Sequence, residues 1–79
     1  MAVTIRFFAA ARAAVGVAEI TLEPSSAQNL LDHVTSLHPK LGRVLPQCSY
    51  LLDEISLRDL NVKVLDGSTL DVLPPFAGG

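Results

Sequence analysis

Val3-Thr4-Ile5-Arg6-Phe7-Phe8 opens the chain with a strict alternation. Val3, Ile5 and Phe7 fall on one side; Thr4, Arg6 and Phe8 fall on the other. A period of two carried by β-branched and aromatic residues is the pattern of a half-buried strand. Val3, Ile5 and Phe7 are the side that a core must cover. The same rhythm returns over Val17–Glu23, with Ala18, Ile20 and Leu22 inward and Glu19, Thr21 and Glu23 outward. The two runs read as hairpin partners. Between them lies the alanine-rich segment Ala9–Val15, closing at Gly16, which fits either one helical turn or a wide loop. Pro24 stops the second run because proline has no N–H to give to a ladder.

Beyond Pro24 the period changes. Ser25 followed by Gln28 has the form of a capping box. Ala27, Leu30, Leu31, Val34 and Leu37 then make one apolar helical stripe, which Pro39 ends. Leu41, Val44 and Leu45 suggest a further short turn, stopped by Pro46. Cys48–Asp53 reads as a third strand, with short strand pieces at Ile55–Leu57 and Val62–Val64. Asp66-Gly67 is a turn signal, and Thr69–Leu73 is the last strand, with Leu70 and Val72 inward. One helix covers only one face of a sheet. The expected architecture is therefore α+β: a mixed four- to five-stranded sheet with one main helix packed on one face.

With 79 residues the chain reads as a single domain, 1–79, whose last segment, 74–79, is an extended tail. Hydrophobic residues make up 49% and charged residues 18%, which is unlike a disordered chain. A core of this size supplies only about 3–5 kcal/mol, so regular packing or a partner must help. Cys48 is the single cysteine and there are two histidines, which leaves no disulfide and no four-ligand zinc set. The net charge is -2 and no basic run occurs, which argues against nucleic acid as a partner. No apolar run approaches the roughly 20 residues of a membrane span. Ala2–Val17 resembles a signal peptide superficially, but no basic segment precedes it and Arg6 and Arg12 interrupt it, so it reads as folded structure. A lone cysteine fits a reducing compartment, and a cytoplasmic location is expected.

The last strand runs straight into Pro74-Pro75-Phe76-Ala77-Gly78-Gly79. Proline holds an extended path, and glycine passes through a narrow channel without a side chain to obstruct it. Six extended residues at about 3.3 Å each reach roughly 20 Å, enough to place a terminal carboxylate in another protein's active site. By composition alone the segment fits a frayed end equally well.

Two stretches together carry more. Thr4-Ile5-Arg6-Phe7-Phe8-Ala9, leading into the alanine-rich segment and Gly16, resembles the opening of molybdopterin synthase small subunits. Asp66-Gly67, followed by Leu70-Asp71-Val72-Leu73-Pro74-Pro75-Phe76-Ala77-Gly78-Gly79, resembles their ending. Ser68 and Leu52-Asp53 depart from the family's usual residues at those points. These subunits are ubiquitin-like β-grasp sulfur carriers, related to the thiamine-pathway sulfur carriers.

The resemblance implies that an E1-like adenylyltransferase activates Gly79 with ATP and that a sulfur donor converts it to a thiocarboxylate. It further implies that Pro74, Pro75, Phe76, Ala77 and Gly78 thread the tail into the active site of the molybdopterin synthase large subunit. Sulfur then passes to a pyranopterin precursor. On this reading the chain binds no cofactor or metal of its own, ATP being used by the activating partner. It is not catalytic alone, and the residues show no His–carboxylate or Cys–His constellation.

If the first and last strands are parallel neighbours, as the resemblance implies, Phe8 and Leu73 form an apolar spot on the helix-free face beside the tail. Contiguous exposed apolar surface marks an interaction site, and aromatics are favoured anchors; isolated exposed apolar residues are also ordinary. Arg6 and Arg12 either meet an acidic partner or sit in solvent. Glu19, Glu23, Asp66 and Asp71 read as a solvated face, Cys48 as a core residue, and His33 and His38 as surface residues. A carrier for thiazole or cysteine synthesis, a protein modifier and a non-catalytic ubiquitin-like interaction domain remain as alternatives.

Overall fold

The N-terminal alternation becomes β1 (Val3–Phe7), in which Val3, Ile5 and Phe7 are buried. The computed structural model describes residues 1–75. After β1 come α1 (Ala9–Val15), β2 (Glu19–Leu22), β3 (Ser25–Ser26) and α2 (Ala27–Leu37). A short α3 (Leu41–Val44) and a 3₁₀ turn (Leu45–Gln47) lead to β4 (Ser49–Leu52) and β5 (Ile55–Leu57). β6 (Lys63–Val64) and β7 (Thr69–Leu73) complete the described chain.

The main sheet has five strands in the order β2-β1-β7-β4-β5. β1 and β7 pair in parallel at its centre, with Ile5 opposite Leu70 and Phe7 opposite Val72. The pairs β1–β2, β7–β4 and β4–β5 are antiparallel. The expected α+β β-grasp architecture is therefore present. α2 is the main helix, and Leu30, Leu31 and Val34 close over Val3, Ile5, Phe7, Leu70 and Val72 in one core.

Several local details differ from the sequence reading. Ala9–Val15 is a seven-residue helix. Ala11 and Val15 enter the core, and Gly16, at φ 91°, ends the helix by donating its N–H to the Arg12 carbonyl. Only glycine occupies that left-handed position without a Cβ penalty. Ala18 is exposed, not inward, because β2 starts one residue later and Ala18 lies in the turn, its carbonyl accepting from Phe7 N–H. Leu37 is 62% exposed, since as the last residue of α2 it extends beyond the core that Val34 reaches. The strand piece near Val62–Val64 is β6, and it leaves the main sheet to pair with β3, Ser25 opposite Val64.

That ladder also shifts the helix cap. Ser25 lies in β3 and Ser26 is the cap, its Oγ accepting from Asn29 N–H at 3.1 Å. Gln28 does not reach back to the cap; its amide donates to Asp32 at 2.9 Å. Ser26→Ala is expected to lower unfolding free energy by about 1 kcal/mol. Ser25→Ala, which removes only an exposed side-chain bond to Asn29, should cost less. Urea denaturation of the two variants checks the order.

Candidate functional site

Strand register decides what the helix-free face presents. Residues flanking the buried positions of β1 and β7 point the other way, because side chains alternate across a strand. β1 contributes Thr4 and Arg6, and Phe8 follows with the same parity. β7 contributes Thr69, Asp71 and Leu73, β4 contributes Ser49 and Leu51, and β2 contributes Glu19 and Thr21. Phe8 N–H donates to the Val72 carbonyl at 3.2 Å, which carries the parallel pairing one residue past β1 and sets Phe8 level with Leu73. Phe8 is 39% exposed and Leu73 is half-buried. Leu51 shares this face and is also half-buried, an apolar member that sequence reading missed. Its signal was available only through register: Leu51 stands opposite Asp71, and that pairing is not legible from a four-residue strand.

At the centre of the face Asp71 is 4% exposed. This corrects its reading as one of the solvated acids; Arg6, whose side chain stays 43% exposed, is paired with it within the chain rather than left to solvent alone. Arg6 Nε donates to Asp71 Oδ1 at 2.6 Å and Arg6 Nη2 to Asp71 Oδ2 at 2.7 Å. The cause is register: Arg6 is directly opposite Asp71 in the parallel pair, at the centre of the sheet. The bidentate geometry matches the guanidinium fork to the carboxylate. Those hydrogen bonds, then the Asp71 charge, hold the Arg6 pKa above its ordinary value, with Glu19 and Glu54 acting in the same direction. The guanidinium carbon also stands 5.7 Å from the centre of the Phe8 ring, a cation–π distance. Glu19, Glu23 and Asp66 are exposed, and Asp66 accepts from Ala2 N–H at 2.6 Å. Arg12 is exposed on α1.

The tail leaves from this same edge. Leu73 closes β7 opposite Ser49, Pro74 is half-buried and Pro75 is exposed. Neither proline has an N–H to extend the ladder. Phe76, Ala77, Gly78 and Gly79 lie outside the described residues.

Cys48, His33 and His38 are the remaining candidates. Cys48 is half-buried against the core, and its thiol donates to the Val44 carbonyl at 3.3 Å. Burial pushes that thiol up from its usual range, and burial likewise raises Tyr50, whose hydroxyl donates to the Leu45 carbonyl. A raised pKa leaves less thiolate at a given pH, and the thiolate is the nucleophile. His33 is exposed on α2 and His38 caps its end. Among the described residues no group of three His, Cys, Asp or Glu is placed to hold a metal ion. No helix among them is long and apolar enough to cross a membrane.

Residues 5–79 match the family model described as the ThiS family. The chain belongs to the ThiS family. Over its whole length, and the whole length of the relative, it is 30% identical to the molybdopterin synthase sulfur carrier subunit of Chlamydomonas reinhardtii. Solved structures share the fold. Small archaeal modifier protein 1 from Methanosarcina acetivorans superposes with a TM-score of 0.85 at 23% identity, over 99% of this chain and 96% of that one. Subunit 1 or 2 in the complex of the molybdopterin-converting factor from Helicobacter pylori 26695 superposes with a TM-score of 0.75 at 24% identity, over 100% of both chains. The sequence resemblance to ubiquitin-like β-grasp sulfur carriers thus holds for this ThiS-family chain.

Two measurements check the site. Arg6→Ala leaves the buried Asp71 carboxylate unpaired, whereas Asp71→Ala frees an arginine that can turn to solvent. Arg6→Ala is therefore expected to lower the thermal midpoint more than Asp71→Ala. The double replacement Arg6→Leu/Asp71→Ala should recover most of that loss. The Cys48 thiol is expected to react with a disulfide reagent more slowly than a free thiol at pH 8, with its rate rising at a higher pH than usual. In denaturant both differences should vanish.

Proposed function

We propose that this chain is the sulfur carrier subunit of a molybdopterin synthase. The observation that carries the proposal is the full-length match to a curated subunit of that name, within the ThiS family. The architecture supports it: the last strand sits at the centre of the sheet and delivers Pro74 and Pro75 from the edge of a partly apolar face.

The chemistry follows from the terminal group. A terminal carboxylate, with a reference pKa of about 3.3–3.7, is ionised at neutral pH and is a poor electrophile. An E1-like adenylyltransferase would join a Gly79 carboxylate oxygen to the α-phosphate of ATP and release pyrophosphate. Hydrosulfide supplied by a donor would then attack the carbonyl carbon, expel AMP and lose its proton, leaving the thiocarboxylate. The chain supplies the carried atom and the address, while acids and bases come from its partners.

In the Helicobacter pylori relative, subunit 1 is found with subunit 2 of the converting factor. By that analogy the partner here is a molybdopterin synthase large subunit. Phe8, Leu51 and Leu73 would contact it, while Pro74, Pro75, Phe76, Ala77 and Gly78 lead Gly79 into its active site. The pyranopterin precursor bound there would take the sulfur. The family name admits delivery to another acceptor instead, and the two readings part only on what empties the carrier.

Intact mass spectrometry tests the loading. With ATP, sulfide and the cognate E1-like enzyme, the chain should gain the mass of one sulfur replacing one oxygen, mapped to Gly79. A chain lacking Gly78 and Gly79 should gain nothing. No gain, with the enzyme active on another carrier, would reduce the tail to an ordinary terminus.

A further inference from the structure

Stability alone does not call for a charged pair at the middle of the helix-free face. Apolar side chains of similar volume at the two positions would serve as well or better. What Arg6 and Asp71 do, and an apolar pair cannot, is fix a flat cation in one place. Asp71, 4% exposed between β1 and β4, offers both carboxylate oxygens. Arg6 meets them with the Nε–Nη2 edge of its guanidinium, at 2.6 and 2.7 Å. Two bonds along one edge set the plane of the group as well as its position.

That cation stands over a second group. The guanidinium carbon is 5.7 Å from the centre of the Phe8 ring. Phe8 keeps the extended backbone of β1, with φ −123° and ψ 153°, so its side chain rises from the same face as that of Arg6. The chain then turns away at once: Ala9 has φ 49° and opens α1. Phe8 is therefore left at the end of its strand, 39% exposed. A side chain so placed samples several staggered χ1 positions unless a neighbour selects one. Arg6 is such a neighbour, and Asp71 keeps it there. Glu19, opposite Arg6 on β2, is the competing carboxylate. An arginine released from Asp71 would swing towards Glu19 and solvent, away from the ring.

We propose that Arg6 and Asp71 are positioning residues for Phe8: Asp71 fixes the guanidinium, and the guanidinium holds the Phe8 ring in its docking orientation before a partner arrives. The inference rests on the carrier reading for what Phe8 then touches, the large subunit, and gives Arg6 no contact of its own there. The benefit is preorganisation, because a side chain already ordered loses less freedom on binding. Ordering one such ring is worth roughly two- to tenfold in affinity.

Two measurements on the full chain test this. In the free chain, three-bond couplings to Phe8 Cγ report its χ1 distribution. The native chain should show one rotamer. Asp71→Val leaves Arg6 in place but unheld, and its Phe8 should average. Arg6→Thr/Asp71→Val should average too, although two β-branched residues at the centre of the sheet should keep its thermal midpoint near the native value. In a double-mutant cycle, Asp71→Val should weaken binding to the cognate large subunit roughly two- to tenfold, and should have no effect in the Phe8→Ala background. An averaged Phe8 in the native chain, one rotamer retained in both variants, or an equal loss of affinity in the Phe8→Ala background overturns the inference. No binding by the native chain would contradict the carrier reading instead, and the couplings alone would then decide the positioning.

Discussion

The parallel pairing of β1 with β7 is the constraint on which the rest of the structure depends. It joins the two ends of the sequence at the centre of the sheet, Ile5 opposite Leu70 and Phe7 opposite Val72. Such a contact closes nearly the whole chain into a loop, so its entropy must be met by the burial it completes. It does complete one: Val3, Ile5, Phe7, Leu70 and Val72 form the floor on which α2 packs. The hairpins β1–β2 and β4–β5 are local and flank this centre. Because side chains alternate, the same pairing sets the opposite face, bringing Arg6 onto Asp71 and Phe8 level with Leu73. It also fixes where the tail begins.

The Arg6–Asp71 pair is the unusual feature of that face. A carboxylate at the middle of a sheet face without a helix is surrounded by neighbouring strands and loses much of its water. It is acceptable because the guanidinium meets both oxygens. Pairs of this kind add little net stability compared with apolar residues of the same shape, but breaking one is costly. The pair therefore reads as a constraint on what the face presents. It ties Arg6 to Asp71 at the centre of the face.

Much of the fold was legible because its strands carry clean period-two patterns and α2 a clean 3.6-residue stripe. β1, β2, α2 and β7 emerge from Val3–Phe8, Val17–Glu23, the Leu30–Leu31–Val34 stripe and Thr69–Leu73. The errors share a cause, namely that short elements carry too few residues for a period. Ala9–Val15 is only two turns long and alanine fits helix and loop alike. β3 and β6 have two residues each, so their pairing, and the resulting shift of the cap from Ser25 to Ser26, depends on tertiary contact. Asp71 looks solvated because parity assigns a face without revealing the cross-strand neighbour. Phe8 and Leu73 were placed correctly on the helix-free face, while Leu51 needed the β4–β7 register. The tail stands out by its composition alone, and its meaning comes from the family resemblance.

The proposed function makes the chain a vehicle for one atom, and following that atom is the most direct measurement. The chain would be prepared with isotopically labelled sulfur in a thiocarboxylate at Gly79, then mixed in a single turnover with the large subunit and the pyranopterin precursor. The account expects the label to appear in the pterin product while the chain returns to its carboxylate mass, the oxygen coming from water. Label retained on the chain with a competent large subunit present, or a chain recovered in amide linkage to a lysine, would contradict it.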